Sequence, residues 1–228
     1  MSSLSAIVVA AGSSRRMGFD KLEADLAGSS VLLRSLLAFE ACSEVGEIRV
    51  VTSPEKLGPL EASIREAGLR KCVEVIEGGA ERHLSVHRGL ERVGEKFDLV
   101  AVHDGARPLV TPEMIGRCAD AAREGGAAVL AHRVADTLKR GDDQGRVCGA
   151  VDRENLWAME TPQIFAIELL RRAYSAVMES GELVTDEVSA IEKLGETVTL
   201  VENTEPNGKI TVPADLVVAR AVIREREN

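Results

Sequence analysis

Short apolar segments alternate with longer amphipathic segments along most of the chain. Several of the short segments are rich in Val, Ile and Ala at consecutive positions, and stretches with helical spacing separate them. A strand that is apolar at every position is buried on both faces, which is typical of a parallel sheet covered by helices. The pattern therefore predicts a doubly wound, mostly parallel α/β fold with right-handed crossovers.

The predicted strands cover residues 6–10, 47–52, 72–76, 99–103, 127–131 and 197–201. The predicted helices cover residues 31–42, 54–67, 81–93, 112–123, 167–178, 185–194 and 213–227. Neither element is predicted for residues 153–166. Because ligands of such sheets bind beyond the carboxyl ends of the strands, the loops that follow the strands are where chemistry is expected.

The alternation of strands and helices stops after residue 131. Residues 134–152 are polar, contain glycines and carry charges of both signs, with a turn sequence at 141–143. They predict a protruding hairpin or arm, and an ordinary surface loop is the alternative. A segment of this length, in a domain with otherwise short loops, indicates contact with another subunit or with the substrate.

Composition and charge exclude some classes of function. The chain has 228 residues, which suits one domain spanning 1–228. Its net charge is −9, from 28 basic and 37 acidic side chains, so non-specific nucleic-acid binding is not expected. The four cysteines are scattered and predict reduced thiols. No signal peptide or membrane-spanning segment is recognised, so we expect a cytoplasmic protein without a membrane partner.

The loop after the first predicted strand combines small residues with cations. It has the sequence AAGSSRRMGFDK, at residues 10–21. It lacks the Gly-Lys-Ser/Thr ending of a P-loop and the spaced glycines of a dinucleotide-binding loop. Because the chain as a whole is acidic, the cluster of Arg15, Arg16 and Lys21 predicts a triphosphate site. A solvated basic loop is the alternative.

The sequence VHDGARP, at residues 102–108, ends the fourth predicted strand. Asp104 in this loop is well placed to hold Mg²⁺ against phosphate oxygens, or else it caps a turn. Arg107 adds a fork-shaped donor for a second phosphate. His103 is expected to be a hydrogen-bonded histidine at a strand end rather than a ligand.

A third loop, GGAERHLS at residues 78–85, ends the third predicted strand. It could recognise a base or ribose through backbone groups, with Ser85 as a polar side chain at the site. A plain turn between strand and helix would have a similar sequence.

Five motifs occur in order: AAGSSRRMG-x-x-K, GG-x-ER-x-x-SV, VHDGARP, VDRENLWAMETPQIF, and VTDE with a later Lys-Ile-Thr. On these motifs the chain resembles the 2-C-methyl-D-erythritol 4-phosphate cytidylyltransferases of the non-mevalonate isoprenoid pathway, over nearly its whole length. The resemblance implies a nucleotidyltransferase fold of Rossmann-like, GT-A-like type and a homodimer whose arms cross between subunits. It also implies Mg²⁺-dependent transfer of the cytidylyl group of CTP to a sugar-alcohol phosphate.

The resemblance also implies roles for individual residues. Arg16 and Lys21 stabilise charge on the CTP phosphates, and Asp104 binds Mg²⁺. The implied nucleotide site comprises Ala10, Ala11, Gly12, Gly79, Ser85 and Gly105. The implied acceptor site comprises Arg107, Thr137, Arg153, Thr185, Asp186 and Lys209. Thr137 and Arg153 would arrive on the arm of the partner subunit.

The chain departs from the family pattern at three places. Ala80 stands where the family usually has an acidic residue, and Gly105 stands where alanine is usual. The segment 205–208 replaces the usual residues before Lys209, so the resemblance alone does not fix the position of this lysine. The alternatives are a ribitol-5-phosphate cytidylyltransferase, which shares the CTP loop, and a non-catalytic nucleotide-binding protein on the same scaffold.

Overall fold

A computed structural model describes residues 4–12, 18–181 and 184–227. Within these ranges the strands are β1 (Leu4–Val9), β2 (Val45–Thr52), β3 (Cys72–Glu77), β4 (Leu99–Asp104), β5 (Ala127–Arg133), β6 (Lys139–Gly141), β7 (Val147–Ala150), β8 (Trp157–Ala166) and β9 (Thr199–Glu202). The helices are α1 (Val31–Ala41), α2 (Leu57–Glu66), α3 (Arg82–Glu91), α4 (Pro112–Gly125), α5 (Ile167–Ser180), α6 (Glu187–Lys193) and α7 (Pro213–Glu227).

A seven-stranded sheet forms the centre of the fold, in the order β3-β2-β1-β4-β8-β5-β9. Strand β1 pairs in parallel with both β2 and β4, and β9 pairs in parallel with β5. Successive residues of β1 point to opposite faces: Val8 joins the apolar core beneath α1, α2, α4 and α7, and Ile7 joins the core beneath α3, α5 and α6. The predicted doubly wound, mostly parallel sheet is therefore confirmed.

Strand β8 is the main departure from the predicted elements. It lies between β4 and β5 and runs antiparallel to both. Sequence analysis assigned no strand here because Glu160, Thr161 and Gln163 interrupt the apolar pattern and Pro162 cannot donate to a ladder. In the structure these polar residues are buried, and the β5–β8 register shifts between Val129 and Ala131. The lack of a predicted strand at this position was wrong.

Smaller differences concern the ends of two predicted helices. The segment predicted as one helix over 54–67 begins with a 3₁₀ turn at Pro54–Lys56, and α2 starts after it. Helix α6 begins at Glu187 rather than at 185, because the side chain of Asp186 caps it by accepting a hydrogen bond from the Ser189 N–H at 3.0 Å.

The predicted arm is a hairpin in which β6 and β7 pair antiparallel, apart from the main sheet. Asp142 holds its turn by accepting hydrogen bonds from the backbone N–H groups of Gln144 at 3.0 Å and Arg146 at 2.9 Å. At the base of the arm, the N–H of Val134 donates to the carbonyl of Leu156 at 3.1 Å. The arm thus extends directly from β5 and β8.

The four cysteines carry free thiols, as predicted. In the part of the chain that the structure describes, no helix has the length and apolar character needed to cross a bilayer.

Candidate functional site

A cleft of about 340 Å³ opens where β1, β3 and β4 end. Its walls come from the loops after these strands and from the segment that precedes α7. Eight of the predicted site residues line it: Ala10, Ala11, Gly12, Lys21, Gly79, Ser85, Asp104 and Lys209. The volume is in the range of small-molecule sites, and the position is where a parallel sheet binds its ligands.

Two glycines allow the loop after β3 to pack closely, Gly78 against the loop after β1 and Gly79 against the first turn of α3. A Cβ atom on Gly78 would lie 2.8 Å from Ala11 Cβ, and one on Gly79 would lie 2.4 Å from Leu84 Cβ. The hydroxyl of Ser85 accepts a hydrogen bond from the Gly79 N–H at 3.1 Å. Ser85 therefore organises this turn as well as lining the cleft, so the plain-turn interpretation describes part of its role.

Asp104 is the central carboxylate of the cleft. It ends β4 directly beside Val9, the last residue of β1. Three cationic side chains surround it: Lys209 Nζ at 2.8 Å, Arg82 Nε at 3.3 Å and Arg107 Nε at 3.8 Å. Burial alone would raise the pKa of Asp104, but these cations outweigh it and hold the pKa below its usual value. Asp104 is therefore an anion at neutral pH.

Arg82, Glu187 and Tyr174 form a hydrogen-bonded group next to Asp104 for which the sequence predicted no site role. Glu187 and Tyr174 are buried, and Arg82 lines the cleft. Arg82 donates to both carboxylate oxygens of Glu187, at 2.7 and 3.0 Å, and Tyr174 donates its hydroxyl hydrogen to the same carboxylate at 2.9 Å. Burial would lower the pKa of Arg82, but Glu187 and Asp104 outweigh it and raise the pKa. Arg82 and Glu187 lie in the GG-x-ER and VTDE motifs, which could have identified them.

Lys209 reaches the cleft because a second buried carboxylate holds its loop. One oxygen of Glu160, on β8, accepts hydrogen bonds from the side-chain amides of Asn203 at 3.0 Å and Asn207 at 2.8 Å. The N–H of Ile210 donates to the carbonyl of Ala106 at 2.8 Å. Despite the unusual segment before it, Lys209 thus contacts Asp104.

The catalytic cations predicted from the first loop are only partly described. Lys21 lines the cleft, and its ammonium donates to the carbonyl of Ile210 at 2.9 Å. Arg15 and Arg16 lie outside the residues that the structure describes.

Two further predicted residues lie beside the cleft. Gly105 packs beneath it: its N–H donates to the carbonyl of Val9 at 2.9 Å, and a Cβ atom there would lie 2.7 Å from Leu32 Cδ1. Arg107 donates to the carbonyls of Asn207 at 3.0 Å and Met159 at 3.3 Å, so it braces the Lys209 loop.

The remaining predicted acceptor-site residues do not line this cleft within one chain. Thr137 and Arg153 are exposed on the arm, where Arg153 donates to the carbonyl of Ala135. Thr185 is exposed just before α6. In addition to capping α6 through the Ser189 N–H, Asp186 accepts hydrogen bonds from the Ser189 hydroxyl at 2.6 Å and from the Gln163 amide at 3.2 Å.

His103 is fully buried and hydrogen-bonded, as predicted. Its Nδ1 lies 2.9 Å from the Thr161 hydroxyl, and its Nε2 lies 3.3 Å from the carbonyl of Arg107. Burial lowers the pKa of His103 to about 3, so the ring is neutral at physiological pH. Because Thr161 also accepts a hydrogen bond from the Asp104 N–H at 3.1 Å, this network fixes the backbone of the central carboxylate.

The donor set suits Mg²⁺ that arrives with a polyphosphate. Among the described residues, no group of three or more His, Cys, Asp or Glu side chains could enclose a metal ion. Mg²⁺ is commonly held by one or two carboxylates together with substrate phosphates. Asp104, an anion at the wall of the cleft, provides such a carboxylate.

A three-layer α/β fold, with one carboxylate and several cations at the carboxyl ends of parallel strands, defines a protein of the nucleotide-phosphate-binding class. The cations can neutralise phosphate oxygens, and the glycine-containing loops let a ligand approach the backbone closely.

The chain belongs to the 2-C-methyl-D-erythritol 4-phosphate cytidylyltransferase family, whose sequence profile matches residues 4–225. The enzyme of that name from Caldanaerobacter subterraneus subsp. tengcongensis is 40% identical over 225 residues, covering 97% of this chain and 99% of the relative. The one from Prochlorococcus marinus is 41% identical over 224 residues, covering 97% and 99%.

Solved structures of proteins with equivalent names have the same fold. The crystal structure of 4-diphosphocytidyl-2C-methyl-D-erythritol synthase from Anaerococcus prevotii matches with a TM-score of 0.85 at 28% identity, covering 97% of this chain and 98% of that one. The crystal structure of 2-C-methyl-D-erythritol 4-phosphate cytidylyltransferase from Thermus thermophilus matches with a TM-score of 0.80 at 35% identity, covering 96% and 98%. The predicted nucleotidyltransferase type of fold is confirmed.

Proposed function

We propose that this protein transfers the cytidylyl group of CTP to 2-C-methyl-D-erythritol 4-phosphate, giving 4-diphosphocytidyl-2-C-methyl-D-erythritol and pyrophosphate. The observation that carries the proposal is the meeting of Asp104, Lys209 and Lys21 in one cleft at the ends of β1 and β4. Membership of the family over residues 4–225 supports the choice of both substrates.

The reaction needs charge neutralisation more than proton transfer. The phosphate monoester of the acceptor has a second pKa of about 6, so at neutral pH its oxygen is already a nucleophile. That oxygen attacks the α-phosphorus of CTP, and the bond to the pyrophosphate leaving group breaks in line. Lys21 and Arg16 stabilise the negative charge on the phosphates. Positioning and electrostatics then supply the catalysis.

The nucleotide lies against the loops after β1 and β3. Ala10, Ala11, Gly12 and Gly79 line the cleft with little steric bulk. The N–H groups of Ala11 and Gly12 would contact the nucleotide, whereas those of Ala10 and Gly79 hold the loops by donating to the Val51 carbonyl and the Ser85 hydroxyl. Gly105 contributes by packing beneath the cleft. Asp104 would hold Mg²⁺ together with the triphosphate. When bound, the metal would neutralise phosphate charge next to the reacting centre.

The acceptor lies on the Lys209 side of the cleft. Lys209 can exchange its contact with Asp104 for the acceptor phosphate, because both are anions within reach of one ammonium group. Arg107 contacts the polar segment of β8 at Met159, and Asp186 contacts it at Gln163. Together with Thr185 they would bind the phosphate and hydroxyl groups of the acceptor.

We further propose that the protein is a homodimer in which each arm completes the acceptor site of its partner. Thr137 and Arg153 are exposed and do not line the cleft of their own chain. Because Arg153 does not line the cleft of its own chain, it can bind an anionic acceptor only in the cleft of another subunit. The projecting hairpin would carry it there.

The test of the proposed reaction is pyrophosphate release from CTP and Mg²⁺, with two acceptors offered separately. We expect turnover with 2-C-methyl-D-erythritol 4-phosphate and little with ribitol 5-phosphate. Turnover with ribitol 5-phosphate alone would keep the mechanism and overturn the acceptor. Binding of CTP without turnover on either acceptor would favour a non-catalytic nucleotide-binding protein.

A further inference from the structure

We propose that Arg82 is a positioning residue for the metal site, fixed by Glu187 and Tyr174 so that it orients the carboxylate of Asp104 toward the nucleotide phosphates. The inference rests on the proposed function, because it concerns how Asp104 would receive a divalent cation. It adds three residues to which neither sequence analysis nor the proposed mechanism gives a role.

The anchor of this arrangement is the carboxylate of Glu187, which is fully buried. One of its oxygens accepts hydrogen bonds from Arg82 Nη1 at 2.7 Å and from the Tyr174 hydroxyl at 2.9 Å. The other oxygen accepts one from Arg82 Nη2 at 3.0 Å. A buried charge without a partner is strongly unfavourable, so the Glu187 carboxylate stays paired with the guanidinium group of Arg82.

The two terminal nitrogens of Arg82 each donate one hydrogen bond to Glu187, and the contact with Asp104 is made by Nε. Arg82 Nε lies 3.3 Å from Asp104 Oδ1. The planar guanidinium group is held on one edge by Glu187, which fixes the direction of its Nε–H toward Asp104. Arg82 therefore steadies one carboxylate oxygen by a single long contact.

The other oxygen of Asp104 is held by a different kind of cation. Lys209 Nζ donates to Oδ2 at 2.8 Å, and its side chain is 37% exposed at the end of a flexible stem. A lysine of this kind can move to a phosphate when substrates bind. The cations around Asp104 thus differ in role. Lys209 is exchangeable, Arg107 Nε lies farther from the same oxygen at 3.8 Å, and Arg82 stays in place on the other oxygen and sets the orientation of the carboxylate.

A purely structural role for Arg82, joining α3 to α6 through Glu187, is the competing explanation. It predicts that substitution lowers stability and leaves the affinity for metal unchanged. The positioning role predicts a selective loss of metal affinity, because residues that orient a metal ligand typically contribute about 10–100-fold to binding.

The decisive experiment measures Mn²⁺ binding to the full-length protein in the presence of CTP, from the EPR signal of free Mn²⁺. Metal-free CTP binding is measured in EDTA by calorimetry, and folding by thermal unfolding. The variants are Arg82→Lys, which keeps the charge and loses the fork, and Tyr174→Phe, which keeps both charges. Arg92→Lys is the matched control, because Arg92 follows the same helix, is exposed and pairs with Glu74 at 3.2 Å away from the cleft.

We expect Arg82→Lys to weaken Mn²⁺ binding about tenfold, with metal-free CTP binding and the control unchanged. Tyr174→Phe should weaken it about two- to tenfold, the effect of one lost hydrogen bond. Where Arg82→Lys does not fold, Tyr174→Phe decides. Unchanged Mn²⁺ affinity in the folded variants would overturn the inference while wild-type turnover leaves the proposed function standing. Wild-type protein that neither binds Mn²⁺ with CTP nor releases pyrophosphate would overturn both.

Discussion

The loop that carries Lys209 should depend on the buried carboxylate of Glu160, and the substitution Glu160→Ala tests this. The carboxylate accepts one hydrogen bond from Asn203 and one from Asn207. Each amide also has a second acceptor, the carbonyl of Glu205 or of Thr161. A hydrogen bond to a charged group contributes about 1.5–3 kcal/mol to stability. The other carboxylate oxygen lies 2.7 Å from Nδ1 of His132, whose half-exposed ring can bond to water instead. Because the amides keep their second partners, we take the lower value for both and none for His132, and expect a loss of about 3 kcal/mol.

The measurement is urea unfolding, followed by far-UV circular dichroism and by the fluorescence of Trp157, the single tryptophan, which lies on the same strand as Glu160. A domain of ordinary stability, about 5–15 kcal/mol, stays folded after such a loss. Since the Asn207 carbonyl also receives Arg107, the same variant should raise the KM for the acceptor more than the KM for CTP.

Glu160→Gln is the matched control. Its amide oxygen can accept from both asparagines, with the NH₂ group facing His132, whose Nδ1 lies 2.7 Å from the other carboxylate oxygen. We expect a loss within about 1 kcal/mol. If Glu160→Ala also lowers the free energy of unfolding by no more than about 1 kcal/mol, the carboxylate does not hold the loop. If Glu160→Gln is as damaging as Glu160→Ala, charge rather than hydrogen-bond acceptance is what matters, and the reasoning is wrong.

Two further predictions concern catalysis and assembly. Lys21→Ala should lower kcat by about 10²–10³-fold with the fold intact, the usual loss for one preorganised charge contact, and near wild-type turnover in steady-state assays would remove Lys21 from the mechanism. If the arms serve partner subunits, sedimentation velocity at micromolar concentration should show a dimer, and Arg153→Ala should raise the KM for the acceptor with little change for CTP. A fully active monomer is the result that would contradict exchange of the arms.

The parts of the fold that follow from local pattern were predictable. β1 and β4 are apolar at consecutive positions because helices cover both faces of the sheet, and that composition is visible in the sequence. β8 was not predictable in this way, since Glu160 and Gln163 are buried there as hydrogen-bonded polar groups. Their partners, Asn207 and Asp186, are distant in sequence, so no local window contains the reason for their burial.

Some residues of the candidate site were likewise predictable from the sequence, and others were not. Asp104 and Lys21 were identifiable because each follows a strand in a loop with a recognisable composition. The role of Glu187, which is fully buried, depends on its contact with Arg82, and the two are 105 residues apart. A charged residue early in a helix is usually a solvated one, so burial of Glu187 became evident only from the packing of α3, α5 and α6.

The position of the arm between β5 and β8 has a consequence for how its length can vary. These strands are direct neighbours, and Arg133 faces Trp157 at the base of the arm, with the ring stacked 4.3 Å from the guanidinium group. In the topology of the sheet, the whole hairpin is a single connection between two adjacent antiparallel strands, β5 and β8. Insertions and deletions within it leave the register of the sheet unchanged, because the ends of the connection stay together. Such a segment can diverge in length and sequence with little effect on the sheet. If the arms cross between subunits as proposed, this divergence would alter the subunit interface and the acceptor-site residues that the arm carries.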